Sequence, residues 1–346
     1  YLFAALATGG AVVAGQYLGQ NNREKARASV NQLILFTALF SIFITVLIYL
    51  ARSFILHNVF GHIEADVMEA AKIYLVVVSA SIPFIALYNA GAAVFRSMGN
   101  SKVPMYLSFL MNTINICGNA LLIFGFHMGV AGAAVSTLVS RIIAGVGILI
   151  LLRAPGLVLG LDKPFSFRLD GAMLKKIAYI GVPNGLENGM FQLGKILVLS
   201  MIASFGTASI AANAVGNILS TFQVLPGMSV SMAFITVCSR CVGAGYYDMA
   251  RYYTRKILKL IHVMIIVFNI VILAAMPLVL YLYNLSDEAV MLTKQIVWWH
   301  AVCAVLIWPE AFSLANTLRA ASDVKYCIVW SVVSMWVFRI GFSWLL

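Results

Sequence analysis

A glutamate inside a long apolar stretch is the first residue of this sequence that could do chemistry, because a charge is costly there and is functional by default. Glu187 lies in the Gly-containing residues 185–189, four positions after Pro183. We interpret this pattern as a place where a helix breaks and leaves carbonyls free, so that Glu187 binds a cation or faces a cationic ligand. The alternative is an interfacial carboxylate at a helix N-terminus, where the helix dipole favours negative charge.

Glu310 is the second such carboxylate, and it directly follows Pro309. Nine positions separate it from Arg319, which in a helix is roughly 14 Å. This spacing puts Glu310 well inside its apolar stretch, and we expect it to take up a proton or a cation. The alternative is a buried ion pair with Lys195 or Arg339.

Three amides, Asn112, Asn115 and Asn119, share another apolar stretch. Asn115 and Asn119 are four positions apart, so they lie on one face of a helix. Asn119 cannot titrate, and these residues on their own indicate amide packing between helices.

Three cations, Arg141, Lys195 and Arg339, also fall within apolar stretches. For Arg141 we favour structural pairing or snorkelling. Lys195 lies two helical turns beyond Glu187, too far for contact along one helix, so we expect it to neutralise a carboxylate elsewhere. A fixed cation facing a cavity would disfavour cationic ligands, which leaves the charge of any ligand open.

Membrane-spanning helices are the elements that must position these residues. Of the 346 residues, 62% are hydrophobic and 10% charged, whereas soluble domains are typically about 25% charged. Apolar stretches of the roughly 20 residues that cross a bilayer recur, and the Gly and Pro within them favour helices over barrel strands. We predict ten spans, at about residues 1–18, 31–51, 71–95, 104–125, 129–152, 177–204, 208–238, 257–283, 296–318 and 325–346.

The basic residues follow a topological pattern. Alternate loops, at residues 23–27, 96–102, 153–176, 240–259 and 319–325, contain 17 of the 23 Lys and Arg residues. The positive-inside rule places these loops in the cytoplasm. Topology therefore accounts for the net charge of +11, and we exclude nucleic acid as a partner, while attraction to anionic membrane lipid follows from the same charges.

Two loop motifs reveal an internal repeat. Residues 19–27 and 243–251 share Gly, an acidic residue, Ala and Arg at a shift of 224 positions, and residues 95–102 and 318–325 share Arg and Lys at a shift of 223. Equivalent helices are six predicted spans apart. Because six is an even number, equivalent helices cross the membrane in the same direction, which indicates parallel repeats.

The repeat predicts an all-α polytopic membrane protein of two lobes. We expect an N-terminal lobe at 1–152, a cytoplasmic linker at 153–176 and a C-terminal lobe at 177–346. Because span 177–204 has no partner in the first half, we expect a parent chain of twelve helices. One helix would then precede Tyr1 and one would follow Leu346.

The sequence resembles the multidrug and toxin extrusion (MATE) family along essentially its whole length. The segments that carry the resemblance are residues 13–20, 88–102, 129–137, 181–183 and 211–214. The resemblance implies two six-helix lobes around a central cavity. It also implies a bacterial inner-membrane antiporter, not an enzyme, that exports drugs and toxins in exchange for Na⁺ or H⁺ and needs no other cofactor.

Two other classes of membrane protein are alternatives to an exporter. A flippase for lipid-linked oligosaccharide precursors shares the superfamily and would present several cations to the cavity. A membrane enzyme would cluster Asp and His at one face, whereas the five histidines are scattered. No Walker A sequence is present, so ATP is not expected as the direct energy source. We expect a monomer.

The resemblance also suggests site residues. One branch of the family has Asn-x-x-x-Asp with a Thr on the next helix as a cation site. Asn115 and Thr137 match that pattern, and Asn119 replaces the Asp. Many members have a glutamate about eight residues after the proline, where this chain has Phe191 followed by Gln192. The residues that we expect to line the substrate cavity are Asn188, Phe191, Gln192, Lys195 and Asn213.

Overall fold

The computed structural model describes residues 2–59, 64–161 and 165–345; Lys163 and Pro164 of the predicted linker lie outside them. All regular structure in these ranges is helical. The first helices are α1 (Leu2–Gly19), α2 (Arg23–Phe54), α3 (Ala65–Ala80), α4 (Ile82–Ser97), α5 (Lys102–Asn119) and α6 (Gly129–Leu152). The later ones are α7 (Gly171–Ala203), α8 (Thr207–Gly243), α9 (Tyr247–Tyr283), α10 (Asp287–Leu306), α11 (Leu314–Ala320), α12 (Val324–Val333) and α13 (Phe342–Leu345).

Wider π-helical turns interrupt or extend four of these helices. They are Ile55–Val59 after α2, Ala120–Gly125 after α5, Pro309–Ser313 before α11 and Ser334–Gly341 after α12. Turns of this kind occur frequently at functional sites. Two of them contain residues singled out by the sequence, Glu310 and Arg339.

Nine helical stretches within the described ranges are long and apolar enough to cross a membrane. The prediction of an all-α polytopic membrane protein is therefore confirmed. The tenth predicted span, 177–204, coincides with the 33-residue helix α7, which is not among the nine. Its polar residues Asn184, Glu187, Asn188, Gln192 and Lys195 interrupt the apolar sequence of this helix.

The predicted span 71–95 consists of two helices that meet at Ser81, the residue between α3 and α4. Pro83 follows immediately, within the first turn of α4. Proline is tolerated there because its missing N–H would have no helical partner. The Ser81 hydroxyl donates to the Val78 carbonyl at 2.6 Å.

The chain divides into two compact units. The first comprises Phe3–Leu18 and Asn22–Gly181, and the second comprises Gly19–Asn21 and Val182–Leu346. In the first unit α6 packs against α3, α4 and α5, and α4 packs against α2. Phe95 and Ile148 are among its fully buried side chains.

The linker of the first unit is tied to α2. Arg27 donates from Nε to the Val158 carbonyl and from Nη2 to the Leu157 carbonyl, both at 3.0 Å. The Gln32 side chain donates to the Arg168 carbonyl at 2.7 Å and accepts from the Asp170 N–H at 3.0 Å. Side chains of α2 therefore hold part of the predicted 153–176 linker through hydrogen bonds to its backbone.

In the second unit α8 is the central helix and packs against α9, α10 and α11. Two apolar clusters form its core. One includes Phe234, Ile261 and Ile265, and the other includes Leu219 and Val297.

Candidate functional site

Three predicted ligands meet between α5 and α6, and we call Asn115, Asn119 and Thr137 the amide cluster. Asn119 Nδ2 donates to Asn115 Oδ1 at 3.3 Å, and Asn115 Nδ2 donates to Thr137 Oγ1 at 3.2 Å. Thr137 donates in turn to the Ala133 carbonyl at 2.9 Å. Asn119 Oδ1 is buried and has no hydrogen-bond partner among the described residues. The amide cluster therefore offers one unused oxygen and carries no charge.

A glycine makes this approach of α5 and α6 possible. A Cβ atom at Gly118 would lie 2.5 Å from Ser136 Oγ, closer than a real Cβ contact allows. The Ser136 hydroxyl donates to the Asn115 carbonyl at 2.8 Å, a further bond between the helices. Asn112 is not part of the cluster, because its amide donates along its own helix to the Ser108 carbonyl at 3.0 Å.

The structure corrects the sequence interpretation of Glu187. Helix α7 continues through Pro183, so it neither breaks there nor begins near Glu187, and the interfacial N-terminal alternative is wrong. Glu187 accepts hydrogen bonds from Arg319 Nη2 and from Ser331 Oγ, each at 2.7 Å. The Glu187 and Arg319 side chains are only 17% and 11% exposed.

Arg319 extends this network. Its Nη1 donates to Asn316 Oδ1 at 2.8 Å, and Asn316 Nδ2 donates to Ser231 Oγ at 3.4 Å. The Glu187 charge is thus compensated in the structure, and a cation would have to compete with a guanidinium for the same oxygens. This geometry favours a structural ion pair over an open cation site.

Glu310 lies on the π-helical turn Pro309–Ser313, half exposed, and its Oε1 is 3.4 Å from His262 Nε2. The alternative interpretation of Glu310, an ion pair with Lys195 or Arg339, is wrong, because neither cation lies within ion-pair distance of it. Among the described residues, His262 is the ion-pair partner of Glu310.

The His262 ring orientation determines what this pair can do. Its Nδ1 lies 2.9 Å from the Leu258 carbonyl, which can only accept, so Nδ1 carries a hydrogen. A proton bound at this contact would make it an imidazolium facing a carboxylate or a neutral ring facing a carboxylic acid. Without that proton, a carboxylate lies 3.4 Å from a neutral imidazole.

Phe191 and Lys195 belong to a third site, which also includes Arg339; we call these three residues the cation–aromatic cluster. Lys195 Nζ lies 5.2 Å and Arg339 Cζ 5.1 Å from the centre of the Phe191 ring. Phe312 packs edge-on against Phe191 at 6.1 Å, and Trp308 stacks on Phe312 at 5.6 Å. The expectation that Lys195 neutralises a carboxylate is wrong, because no described carboxylate lies within 4.0 Å of it.

The remaining substrate-cavity candidates lie in different places. Asn188 donates to the Asn184 carbonyl at 2.8 Å, and Gln192 is half-buried on the same helix. Asn213 lines a small apolar pocket with Phe205 and Ile296. That pocket is not lined by Phe191, Gln192 or Lys195, so the structure does not bring all five candidates together.

Arg141 is paired with a hydroxyl, not a carboxylate. Its Nη1 donates to Ser81 Oγ at 2.8 Å, at the junction of α3 and α4. This bond agrees with the structural role favoured from the sequence.

Sequence reasoning missed the partners of both glutamates. In the sequence, His262 is one of five scattered histidines, and Arg319 belongs to a basic loop. Both partners come from helices distant in the sequence, and neither has a spacing motif. The contact between the partly buried His300 and the buried Gln223, with Nδ1 2.6 Å from Oε1, has no spacing motif either.

The chain as a whole is similar to proteins of one family. The family model described as MatE matches residues 1–121 and 183–345. Two relatives from Bacillus subtilis are similar over most of the chain. The uncharacterized transporter YisQ is 26% identical over 349 residues, covering 97% of this chain and 74% of its own. The probable multidrug resistance protein YoeA is 25% identical over 344 residues, covering 96% of this chain and 72% of its own.

A solved structure shows the same fold. It is the outward-facing conformation of a multidrug resistance MATE family transporter of the MOP superfamily. The two structures superpose with a TM-score of 0.85 at 19% identity, covering 99% of this chain and 76% of the other.

Proposed function

This chain belongs to the MatE family of multi-pass membrane transporters, and from that premise we propose that it is a secondary active multidrug exporter driven by an inward proton gradient. The relatives described as multidrug resistance proteins support small organic molecules as its substrates. The bacterial origin of those relatives supports the plasma (inner) membrane as its location. The flippase alternative is not favoured by these relatives.

The observation that carries proton coupling is the contact between Glu310 and His262. An antiporter needs a group that is loaded by the driving ion on one side and unloaded on the other. The Glu310–His262 contact can take up one proton, and neither Arg nor Lys lies within ion-pair distance of Glu310 among the described residues. Glu187 is less suited to this role because Arg319 remains positively charged throughout the physiological pH range.

The amide cluster has a different place in the proposal. Hard cations such as Na⁺ prefer oxygen ligands, and the unused Asn119 Oδ1 is such a ligand. With no carboxylate present, any Na⁺ there would gain only ion–dipole interactions. We therefore assign the driving force to H⁺ and give Asn115, Asn119 and Thr137 a helix-joining role.

The lobes and cavity are assigned on the same premise. We propose an N-terminal lobe at 1–152, a cytoplasmic linker at 153–176 and a C-terminal lobe at 177–346, acting as a monomer. Asn188, Phe191, Gln192, Lys195 and Asn213 are proposed to face the transported molecule at successive positions of its path.

The test is efflux of a fluorescent organic compound from proteoliposomes that contain the full-length protein. A pH gradient and a Na⁺ gradient are imposed separately. We expect the pH gradient alone to drive efflux, and Glu310→Gln to slow that efflux by about tenfold or more, because the variant cannot release a proton.

The matched control is Glu288→Gln, the same change at an exposed glutamate in the first turn of α10. Efflux driven only by Na⁺ would overturn proton coupling while leaving the export function intact. Efflux driven by neither gradient would overturn the antiporter proposal. Undiminished proton-driven efflux in Glu310→Gln would remove Glu310 from the mechanism.

A further inference from the structure

The cation–aromatic cluster keeps two positive charges together without a counter-ion. Lys195 Nζ and Arg339 Cζ both lie within 5.2 Å of one ring centre, so they are within about 10 Å of each other. Arg339 lies in one of the nine apolar stretches, where an unpaired charge is costly and marks a functional site, and Lys195 on α7 shares its aromatic ring. A cation–π contact offsets only a part of that cost.

The carboxylates that could neutralise these cations are engaged elsewhere. Glu187, two turns before Lys195 on α7, is bound by Arg319 and Ser331. Glu310, two positions before Phe312, faces His262. Of the ion pairs formed in the described parts of the chain, none includes Lys195 or Arg339. The cluster therefore retains a local charge of +2.

The backbone around the cluster is held in a close approach. A Cβ atom at Gly194 would lie 2.6 Å from Met335 Cε, so the Met335 side chain packs directly on α7 at residue 194. Arg339 lies four positions after Met335 on that turn. Two separate segments thus bring one cation each to the same ring, and the turn fixes the second cation.

An aromatic surface adjoins the two cations. Phe191 contacts Phe312 edge-on, and Trp308 stacks nearly parallel on Phe312 at an angle of 20°. Phe312 is 48% exposed, so one part of this surface is open to a ligand. Flat aromatic ligands stack on such surfaces, while Arg and Lys bind carboxylate or sulfonate oxygens.

We propose that the cation–aromatic cluster binds organic anions that combine an aromatic ring with a carboxylate or sulfonate group. The acid group would lie between Lys195 and Arg339, and the ring would contact Phe312 and Trp308. This assignment rests on the proposed export function for its physiological meaning and adds aromatic anions to the transported compounds. The rings of Phe312 and Trp308 favour such a ligand over a membrane lipid, because the acyl chains of a lipid gain nothing from stacking.

The test measures binding to the full-length protein in nanodiscs of neutral lipid, without any gradient. The probes are 2-naphthoate and the neutral 2-naphthalenemethanol, which share one ring system, and their binding is followed calorimetrically. We expect the wild-type protein to bind the anion about tenfold more tightly than the alcohol, because a charge-assisted contact is worth roughly that factor. Lys195→Gln and Arg339→Gln should each remove most of the difference, and Lys195→Arg should retain it.

The control is Lys294→Gln, which removes an exposed lysine of α10 and should leave both affinities unchanged. Phe312→Leu should weaken both probes equally, since it removes the stacking surface and keeps the charges. Equal binding of the two probes by the wild-type protein would overturn the proposal. The proposal would also be overturned if the protein lost naphthoate binding in nanodiscs rich in phosphatidylglycerol, because the cations would then bind a lipid phosphate.

A transport arm separates this proposal from the general one. In proteoliposomes, Arg339→Gln should lower naphthoate export by about tenfold relative to the proton-driven export of a cationic dye measured in the same vesicles. If the wild-type protein did not export the dye, the proposed function would be contradicted, while the binding result would stand. Normal naphthoate export by the variant would overturn the anion site alone.

Discussion

The amide cluster of the first unit and the two glutamates of the second unit show different ways of keeping polar groups inside membrane helices. Asn115, Asn119 and Thr137 are neutral. Asn119 donates to Asn115 within α5, and Asn115 donates to Thr137 of α6. Glu187 and Glu310 each face a cationic or titratable partner. A neutral amide cluster cannot exchange a proton, so the proton chemistry that we propose involves residues of the second unit.

The two glutamates also differ from each other. Arg319 keeps its charge at every physiological pH, so its pair with Glu187 is permanent. His262 can gain or lose a proton, so its pair with Glu310 is switchable. Stability should therefore depend most on the first pair, and transport on the second.

Removal of Arg319 is expected to have the largest effect. Arg319→Gln leaves Glu187 mostly buried without its counter-charge, and loss of one partner of a buried pair costs about 3–5 kcal/mol. The measurement is the thermal and chemical unfolding of the purified full-length protein in micelles. The double variant Glu187→Gln/Arg319→Gln should recover part of the lost stability, because no charge is then left unpaired.

An exposed ion pair supplies the control for that experiment. Arg251 lies 3.7 Å from Asp248, and their side chains are 79% and 99% exposed. Arg251→Gln should not change stability measurably, because solvent screens the pair. If Arg319→Gln were equally harmless, the Glu187 carboxylate would not depend on its partner, and a cation-binding role for Glu187 would regain support.

The sequence predicted the positions of the helices better than the contacts of the polar side chains on them. Hydropathy and the 224-residue repeat located the helices because these signals extend over 20 or more residues. The break at Ser81 and the unbroken course of α7 through Pro183 were not predicted, since proline is compatible with both outcomes. The pairing of Asn115 with Thr137 followed from a family pattern, whereas the contacts of Glu310 with His262 and of Phe191 with Arg339 depend on packing between helices that no local spacing encodes.

Replacement of His262 sharpens the difference between the permanent and the switchable pair. His262→Gln should slow proton-driven efflux by about tenfold, comparable with Glu310→Gln, because either change removes the shared proton site. The double variant should be no slower than either single one. Stability should change far less than in Arg319→Gln, because Glu310 is half exposed.

His57 provides a matched control for this replacement. Its Nδ1 lies 2.9 Å from the Ser53 carbonyl four residues earlier, the same local contact that His262 makes with Leu258, but it forms no ion pair within the described ranges. His57→Gln should leave efflux unchanged. Additive losses in the His262/Glu310 double variant would show that the two side chains act independently, which the shared-proton mechanism does not allow.

The smallest effect is expected from giving the amide cluster a charge. Asn119→Asp places a carboxylate where Oδ1 is now without a partner, next to two further side-chain oxygens. Na⁺ should then stabilise the variant by up to about 1 kcal/mol, since an ion that binds only the folded state stabilises it, and the wild-type protein should show no such effect. The measurement is thermal unfolding in NaCl against choline chloride at constant ionic strength. Asn112→Asp, at an exposed amide of the same helix, is the control and should not respond to Na⁺. A Na⁺ response in the wild-type protein would mean that neutral oxygens suffice to bind the ion, and the first unit would then share in the coupling that we assign to the second.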